Sequence, residues 1–266
     1  MTNKSKVLVI AMLLIGLTSC FKQHSTDDTY RKGWTLAWED SFDNGLDESA
    51  WKKTPRGNLF MNKYMSDSTV LYGSADGNLI LKGIANPAGD EKLPVLTGGI
   101  TRDAIKANEV KRIEARVRIN ATPGATPYIT LLPTSSKDNI YIDIIEQYGT
   151  DDFVYQSVTS EYTTTHRMPD NPPSSALIGV DPTKYHIYGV EKYADSVVFF
   201  VDGTRTKKYP RIPTEIPGQF PFDDNDLDIF IGVRLNQDTD TALLPAEMFI
   251  DWVRYYEPEQ PEATKK

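Results

Sequence analysis

The residues best suited to chemistry lie in the run Tyr141-Ile142-Asp143-Ile144-Ile145-Glu146-Gln147-Tyr148-Gly149, where acids interrupt an otherwise apolar strand pattern. Alternate side chains of a strand face opposite ways, so Tyr141 and Asp143 share a face and Glu146 falls on the other. One inserted residue, a β-bulge between Asp143 and Glu146, brings all three onto one surface. Two carboxyl groups about 5 Å apart, one attacking and one carrying a proton, are what retaining cleavage of a glycosidic bond requires. The same short run also suits a half-exposed strand with no site, so the flanking segments have to decide.

Ahead of this run stand Ile113-Glu114-Ala115-Arg116-Val117-Arg118 and Gly124-Ala125-Thr126-Pro127-Tyr128-Ile129-Thr130-Leu131-Leu132-Pro133. After it come Tyr185-His186-Ile187-Tyr188-Gly189-Val190-Glu191, Val201-Asp202-Gly203, Gly218-Gln219-Phe220-Pro221-Phe222 and Met248-Phe249-Ile250-Asp251-Trp252-Val253-Arg254-Tyr255-Tyr256. In this order, from about Trp34 to Glu257, they resemble glycoside hydrolase family 16, and the central run is similar to its Glu-x-Asp-x-x-Glu signature. The resemblance implies a nucleophile at the first acid, a supporting Asp and an acid/base at the last Glu. Asp143 and Glu146 keep the last two roles, while Tyr141 stands at the nucleophile position. It further implies a β-glucan class polysaccharide as partner and no required cofactor.

Other cleft positions depart from the family as well. Thr130 and Lys192 stand where relatives carry aromatic residues, and Thr159, within Val158-Thr159-Ser160-Glu161-Tyr162, stands where they carry a cleft His. Sugar rings present flat apolar faces to aromatic platforms. Tyr128, Tyr148, Tyr155 and Tyr162 are the remaining candidates for glycan binding, with ordinary strand packing as the alternative for each. Trp34, Trp38, Trp51 and Trp252 align with framework positions. Asp251, in the last apolar strand, corresponds to a family ligand for a structural Ca²⁺; a salt bridge, for instance to an Arg, is the other way to keep a carboxylate there.

The elements that must position these residues read as strands. Ile113, Ala115, Val117 and Ile119 alternate with Arg112, Glu114, Arg116 and Arg118, a period of two with one buried face, the charged face being solvated or ion-paired framework. Asp202-Gly203 suits a tight hairpin between Ser196-Val197-Val198-Phe199-Phe200-Val201 and Thr204-Arg205-Thr206. No stretch of ten or more residues has clean helical spacing. Short strands separated by Gly, Pro, Asn and Asp turns predict an all-β sandwich of two antiparallel sheets. The resemblance narrows this to a concanavalin A-like jelly roll with a concave glycan cleft.

Lys4 and Lys6 precede an apolar run, Val7 to Leu17, too short for a spanning helix and suited to a signal peptide. It ends in Leu17-Thr18-Ser19-Cys20, which resembles a bacterial lipobox, and Cys20 is the single cysteine, which excludes a disulfide framework. The predicted organisation is a lipoprotein signal peptide over 1–19, a flexible tether over 20–32, one family 16-like sandwich over 33–257 and a frayed tail over 258–266. The expected location is the cell envelope, lipid-anchored at the outer membrane. A net charge of −8 argues against nucleic acid as a partner, and the three histidines are scattered rather than clustered for a metal.

Three readings follow: an envelope protein that binds a β-glucan and is catalytically impaired; an active endo-β-glucanase using Tyr141 or Asp143 as nucleophile with Glu146 as acid/base; and a lectin-like structural domain without a glycan ligand. On the anchor, Cys20→Ala is expected to abolish lipid labelling and stable membrane association. Cleavage of the wild type elsewhere without lipid attachment, read by mass spectrometry, would overturn it.

Overall fold

The computed structural model describes residues 29–57, 60–133 and 139–260. The signal run, Cys20 and most of the tether lie outside the described residues, as does 261–266. Among the described residues no helix is long and apolar enough to cross a membrane.

Two antiparallel sheets stack face to face. The seven-stranded sheet runs Ser175–Gly179, Phe153–Thr159, Tyr141–Glu146, Ala125–Pro133, Leu227–Leu235, Gly99–Ile105 and Lys52–Lys53 from edge to edge. In the nine-stranded sheet the order is Thr204–Pro210, Ser196–Val201, His186–Lys192, Lys111–Asn120, Ala246–Pro258, Asn78–Ala85 and Tyr72–Ala75. Trp34–Asp40 also pairs with Ala246–Pro258, and Val95–Thr97 with Asn78–Ala85.

The predicted alternation is what builds the core. Ile113, Ala115, Val117 and Ile119 point inward from one sheet and meet Ile129, Leu131, Ile229, Ile231 and Val233 from the other, all buried in one cluster. Each Ile, Leu or Val among them contributes about 1.5–3 kcal/mol when fully buried. Trp51 and Trp252 are buried, Trp38 packs against Trp51 and Tyr255, and Trp34 meets Tyr193, so the tryptophans are framework. At the hairpin, Asp202 and Gly203 have φ of 48° and 77°. A Cβ on Gly203 would come within 2.7 Å of the Tyr30 ring, so the turn needs glycine for both backbone and space.

The opposite, charged face of Lys111–Asn120 is largely ion-paired rather than solvated. Arg112 donates to Glu114 Oε1 (2.7 Å from Nε) and to Glu191 Oε1 (2.5 Å), and Tyr193 donates to Glu191 Oε2 (2.7 Å). Arg31 closes the network through Glu114 Oε2, at 2.8 Å from Nε and 2.6 Å from Nη2. Gly189, paired with Glu114 across the sheet, leaves room for that side chain, because a Cβ there would lie 3.1 Å from Glu114 Cγ. Breaking such a buried pair leaves an uncompensated charge and costs about 3–5 kcal/mol.

Three predicted boundaries shift. The tether ends earlier than residue 32, since Thr29–Arg31 forms a 3-10 turn and Arg31 is buried. The expected tail begins later, because Pro258 still pairs with Trp34 and Glu259 N–H donates to Gly33 O. The strand expected through Tyr162 stops at Thr159, and Glu161–Thr164 is a short helix begun by a Ser160/Thr163 capping box.

Asp251, expected as a calcium ligand, sits at a register shift between Ile250 and Trp252 and accepts from Arg116 Nη1 at 2.5 Å. Among the described residues, no group of three or more His, Cys, Asp or Glu side chains gathers as a metal site. The cation beside this buried carboxylate is a guanidinium, the arrangement that the salt-bridge alternative expects. On the salt-bridge alternative, a chelator leaves the melting temperature of the wild type unchanged, whereas Arg116→Ala lowers it. A chelator-induced drop, reversed by added Ca²⁺, would contradict this.

Candidate active site

The bulge is present. Consecutive residues Ile129 and Thr130 pair with Ile145 and Asp143, leaving Ile144 as the extra residue, and the register of Phe153–Thr159 shifts at the same place. Ile142, Ile144 and Ile145 all point into the core. Tyr141, Asp143 and Glu146 consequently share the outer face and line one pocket of about 360 Å³. Met61, Tyr128, Thr130, Asn139, Thr159 and Arg234 complete its walls.

Asp143 is held at the pocket floor between two hydroxyls. Thr130 Oγ1 donates to Oδ1 and Ser157 Oγ to Oδ2, each at 2.8 Å. Desolvation, followed by the nearby charge of Glu146, pushes this carboxyl up to about 7, against the two hydrogen bonds and Arg234, which act the other way. The neutral form is thereby favoured over that of an ordinary carboxyl.

Glu146 is engaged at both oxygens. Arg234 Nη2 donates to Oε1 at 3.0 Å, and Tyr148 Oη donates to Oε2 at 2.7 Å. Burial and the Glu146 charge push the Tyr148 phenol upward, which keeps it a donor. Burial, then the Asp143 charge, also pushes the Tyr141 phenol upward. Its hydroxyl is directed to Asn139 Oδ1 at a long 3.5 Å. A phenol in this setting is protonated at neutral pH, and among the described residues its one hydrogen-bond partner is an amide oxygen rather than a base.

The tyrosines expected to bind glycan separate into groups. Tyr148 is 40% exposed and stands edge-on to Tyr155, with ring centroids 4.8 Å apart, and Phe153 packs on Tyr155 in turn. Tyr128 lines the pocket but is 1% exposed, so it offers no open ring face for stacking. Tyr162 is not a site residue: it is buried in the short helix with its hydroxyl on Asn171 O at 2.6 Å. Lys192 is not a cleft residue either. It is buried in the nine-stranded sheet, ion-paired to Asp223 and bonded to Glu109 O at 2.9 Å. Thr130 and Thr159 do line the pocket.

Sequence reasoning missed Arg234, Ser157, Asn139 and Met61. Ser157 lies two residues before Thr159 on the same strand face, so period-two reading could have found it. Arg234 shares its face with Gly232, but only the order of strands across the sheet puts it near Glu146.

No protein-family model matches the sequence. A β-glucanase of Rhodothermus marinus is 24% identical over 268 residues, which cover 92% of this chain and 93% of that protein. SCLam, a non-specific endo-β-1,3(4)-glucanase from family GH16, superposes with a TM-score of 0.71 at 17% identity, covering 86% of this chain and 92% of its own. A structure from work on endo-acting O-glycanases that human gut microbiota express to initiate mucin breakdown gives a TM-score of 0.72 at 23% identity, over 85% of this chain and all of the other. The two sheets and these superpositions define the class: a jelly-roll β-sandwich with the GH16-like β-glucanase fold. Within that class this chain is similar to the Rhodothermus β-glucanase along most of both lengths, with tyrosine at the first position of its acidic run.

The raised Asp143 has a consequence for stability. An unfolded aspartate titrates near 3.9, so the folded protein binds the extra proton between that value and about 7. The stability this contributes is complete below the unfolded value and is lost as pH rises through about 7. Across that window the melting temperature of the wild type is expected to fall relative to that of Asp143→Asn. Parallel curves for the two proteins would show that Asp143 titrates normally.

Proposed function

We propose that the protein binds a β-glucan class polysaccharide in the pocket on the outer face of the seven-stranded sheet and is severely impaired as a hydrolase. A lipid on Cys20 would hold it at the cell envelope, at the outer membrane. The observation that carries this reading is Tyr141. It occupies the place where the family 16 resemblance requires a carboxylate, and its hydroxyl is protonated and turned to Asn139. Tyr is also longer than Glu, and a misplacement of about 1 Å at the attacking atom can cost ~100-fold. Asp143 is a poor substitute: its neutral form is favoured over that of an ordinary carboxyl, and Thr130 and Ser157 occupy both its oxygens. Binding is supported by the polar pocket, by the Tyr148–Tyr155 pair at its edge and by the β-glucanase relatives.

Turnover of laminarin and mixed-linkage glucan is expected at least ~1000-fold below an intact relative, the size of nucleophile deletions elsewhere. Tyr141→Phe should change nothing, and Tyr141→Glu should recover part of the activity. A glycan-array screen beside a reducing-sugar assay checks both halves. Robust wild-type turnover abolished by Tyr141→Phe would establish an unusual nucleophile, turnover lost only in Asp143→Asn would assign attack to Asp143, and absence of any glycan binding would leave the structural-domain reading.

A further inference from the structure

The pocket contains a cation that the acid pair does not require for glycosidic cleavage. Arg234 lies in Leu227–Leu235, two strands away from Glu146, with Tyr128 between them: Tyr128 pairs with Gly232 on one side and with Glu146 on the other. From there the guanidinium reaches over the Tyr128 ring, 5.9 Å from its centroid, to Glu146 Oε1 at 3.0 Å. The side chains of Arg234 and Glu146 are only 14% and 16% exposed, so the pair is weakly screened. We propose that Arg234 fixes Glu146 as a hydrogen-bond acceptor, and that the pair recognises neighbouring hydroxyls of a sugar instead of delivering a proton to a glycosidic oxygen. The proposal rests on the glycan-binding reading above and names the residues that would perform the recognition.

Both Glu146 oxygens receive a donor, one from Arg234 and one from Tyr148, so the carboxylate presents lone pairs to the pocket. A guanidinium holds five N–H groups in a fixed plane, and a carboxylate beside it offers acceptors in the same place. Adjacent sugar hydroxyls, each able to donate and to accept, match such a side-by-side set.

Tyr128, between the two strands, turns its hydroxyl toward Gly232, away from Glu146. The Tyr128 hydroxyl is buried without a hydrogen-bond partner among the described residues, and this side chain lines the pocket. Burial pushes its phenol upward, so it stays an O–H. A Cβ at Gly232 would lie 3.0 Å from this hydroxyl, so the glycine leaves it just enough room. At about 360 Å³ the pocket is near the lower end of ligand sites, which suits one or two sugar units rather than a long stretch of chain.

The test uses the full domain with laminari- and mixed-linkage oligosaccharides, followed by calorimetry, with melting temperature as the check on folding. Arg234→Leu should bind at least ~10-fold more weakly than wild type, the scale of a hydrogen bond to a charged group, with Arg234→Lys in between. In the Tyr141→Glu background, Arg234→Leu should raise turnover by ~10-fold or more, because Glu146 is released from its hydrogen bond to Arg234. Undiminished affinity in a folded Arg234→Leu protein would overturn the recognition role. Unchanged or reduced turnover of Tyr141→Glu/Arg234→Leu relative to Tyr141→Glu would overturn the hold on Glu146. Wild-type protein that binds none of these oligosaccharides would instead refute the β-glucan reading itself, and the turnover comparison would still decide what Arg234 does to Glu146.

Discussion

The pocket depends on one irregular step in one strand. The extra residue at Ile144 lets Ile144 and Ile145 both enter the core and turns Glu146 outward. In regular pairing the Glu146 carboxylate would point between the sheets, where an unpaired charge costs several kcal/mol. The bulge is thus stabilised twice, by two buried isoleucines and by a carboxylate kept out of the core. It also brings Glu146 level with Tyr128 on one neighbouring strand and Tyr155 on the other, and so fixes the contacts available to the site.

The charges of this protein belong to two populations that look alike in sequence. On the nine-stranded sheet, Arg31, Arg112, Glu114 and Glu191 compensate one another, Arg116 meets Asp251 and Lys192 meets Asp223. These pairs let charged side chains lie under packed surface, and the one with Asp223 explains why Lys192 is absent from the cleft. The outer face of the seven-stranded sheet holds fewer charges in contact with its pocket, and there Asp143, Glu146 and Arg234 act on one another directly.

On the proposed reading, that small set departs from what retaining hydrolysis needs in a coherent way. The attacking position holds a phenol that burial keeps protonated, the supporting acid is drawn toward its neutral form, and the remaining carboxylate is held by a guanidinium and a tyrosine hydroxyl. Each group is placed to hold hydrogen bonds rather than to exchange charge during a reaction. The fold tolerates this because the sandwich is stabilised by its core and its opposite sheet, not by the pocket.

The sequence by itself determined the strands, the sandwich and the need for a bulge, because these follow from period-two patterning and from the cost of burying a carboxylate between isoleucines. It also brought Tyr141, Asp143 and Glu146 together, since they lie within six residues and local geometry governs them. Only the tertiary structure decided the rest. Arg234 is 88 residues from Glu146 and reaches it solely through the order of strands across the sheet. Tyr162 and Lys192 carry side chains that sequence reading cannot distinguish from cleft residues, and packing against Asn171 and Asp223 buries them. Local periodicity tells which face a side chain takes, but which charges and hydroxyls meet on that face depends on contacts between distant strands, and those contacts set the chemistry of this pocket.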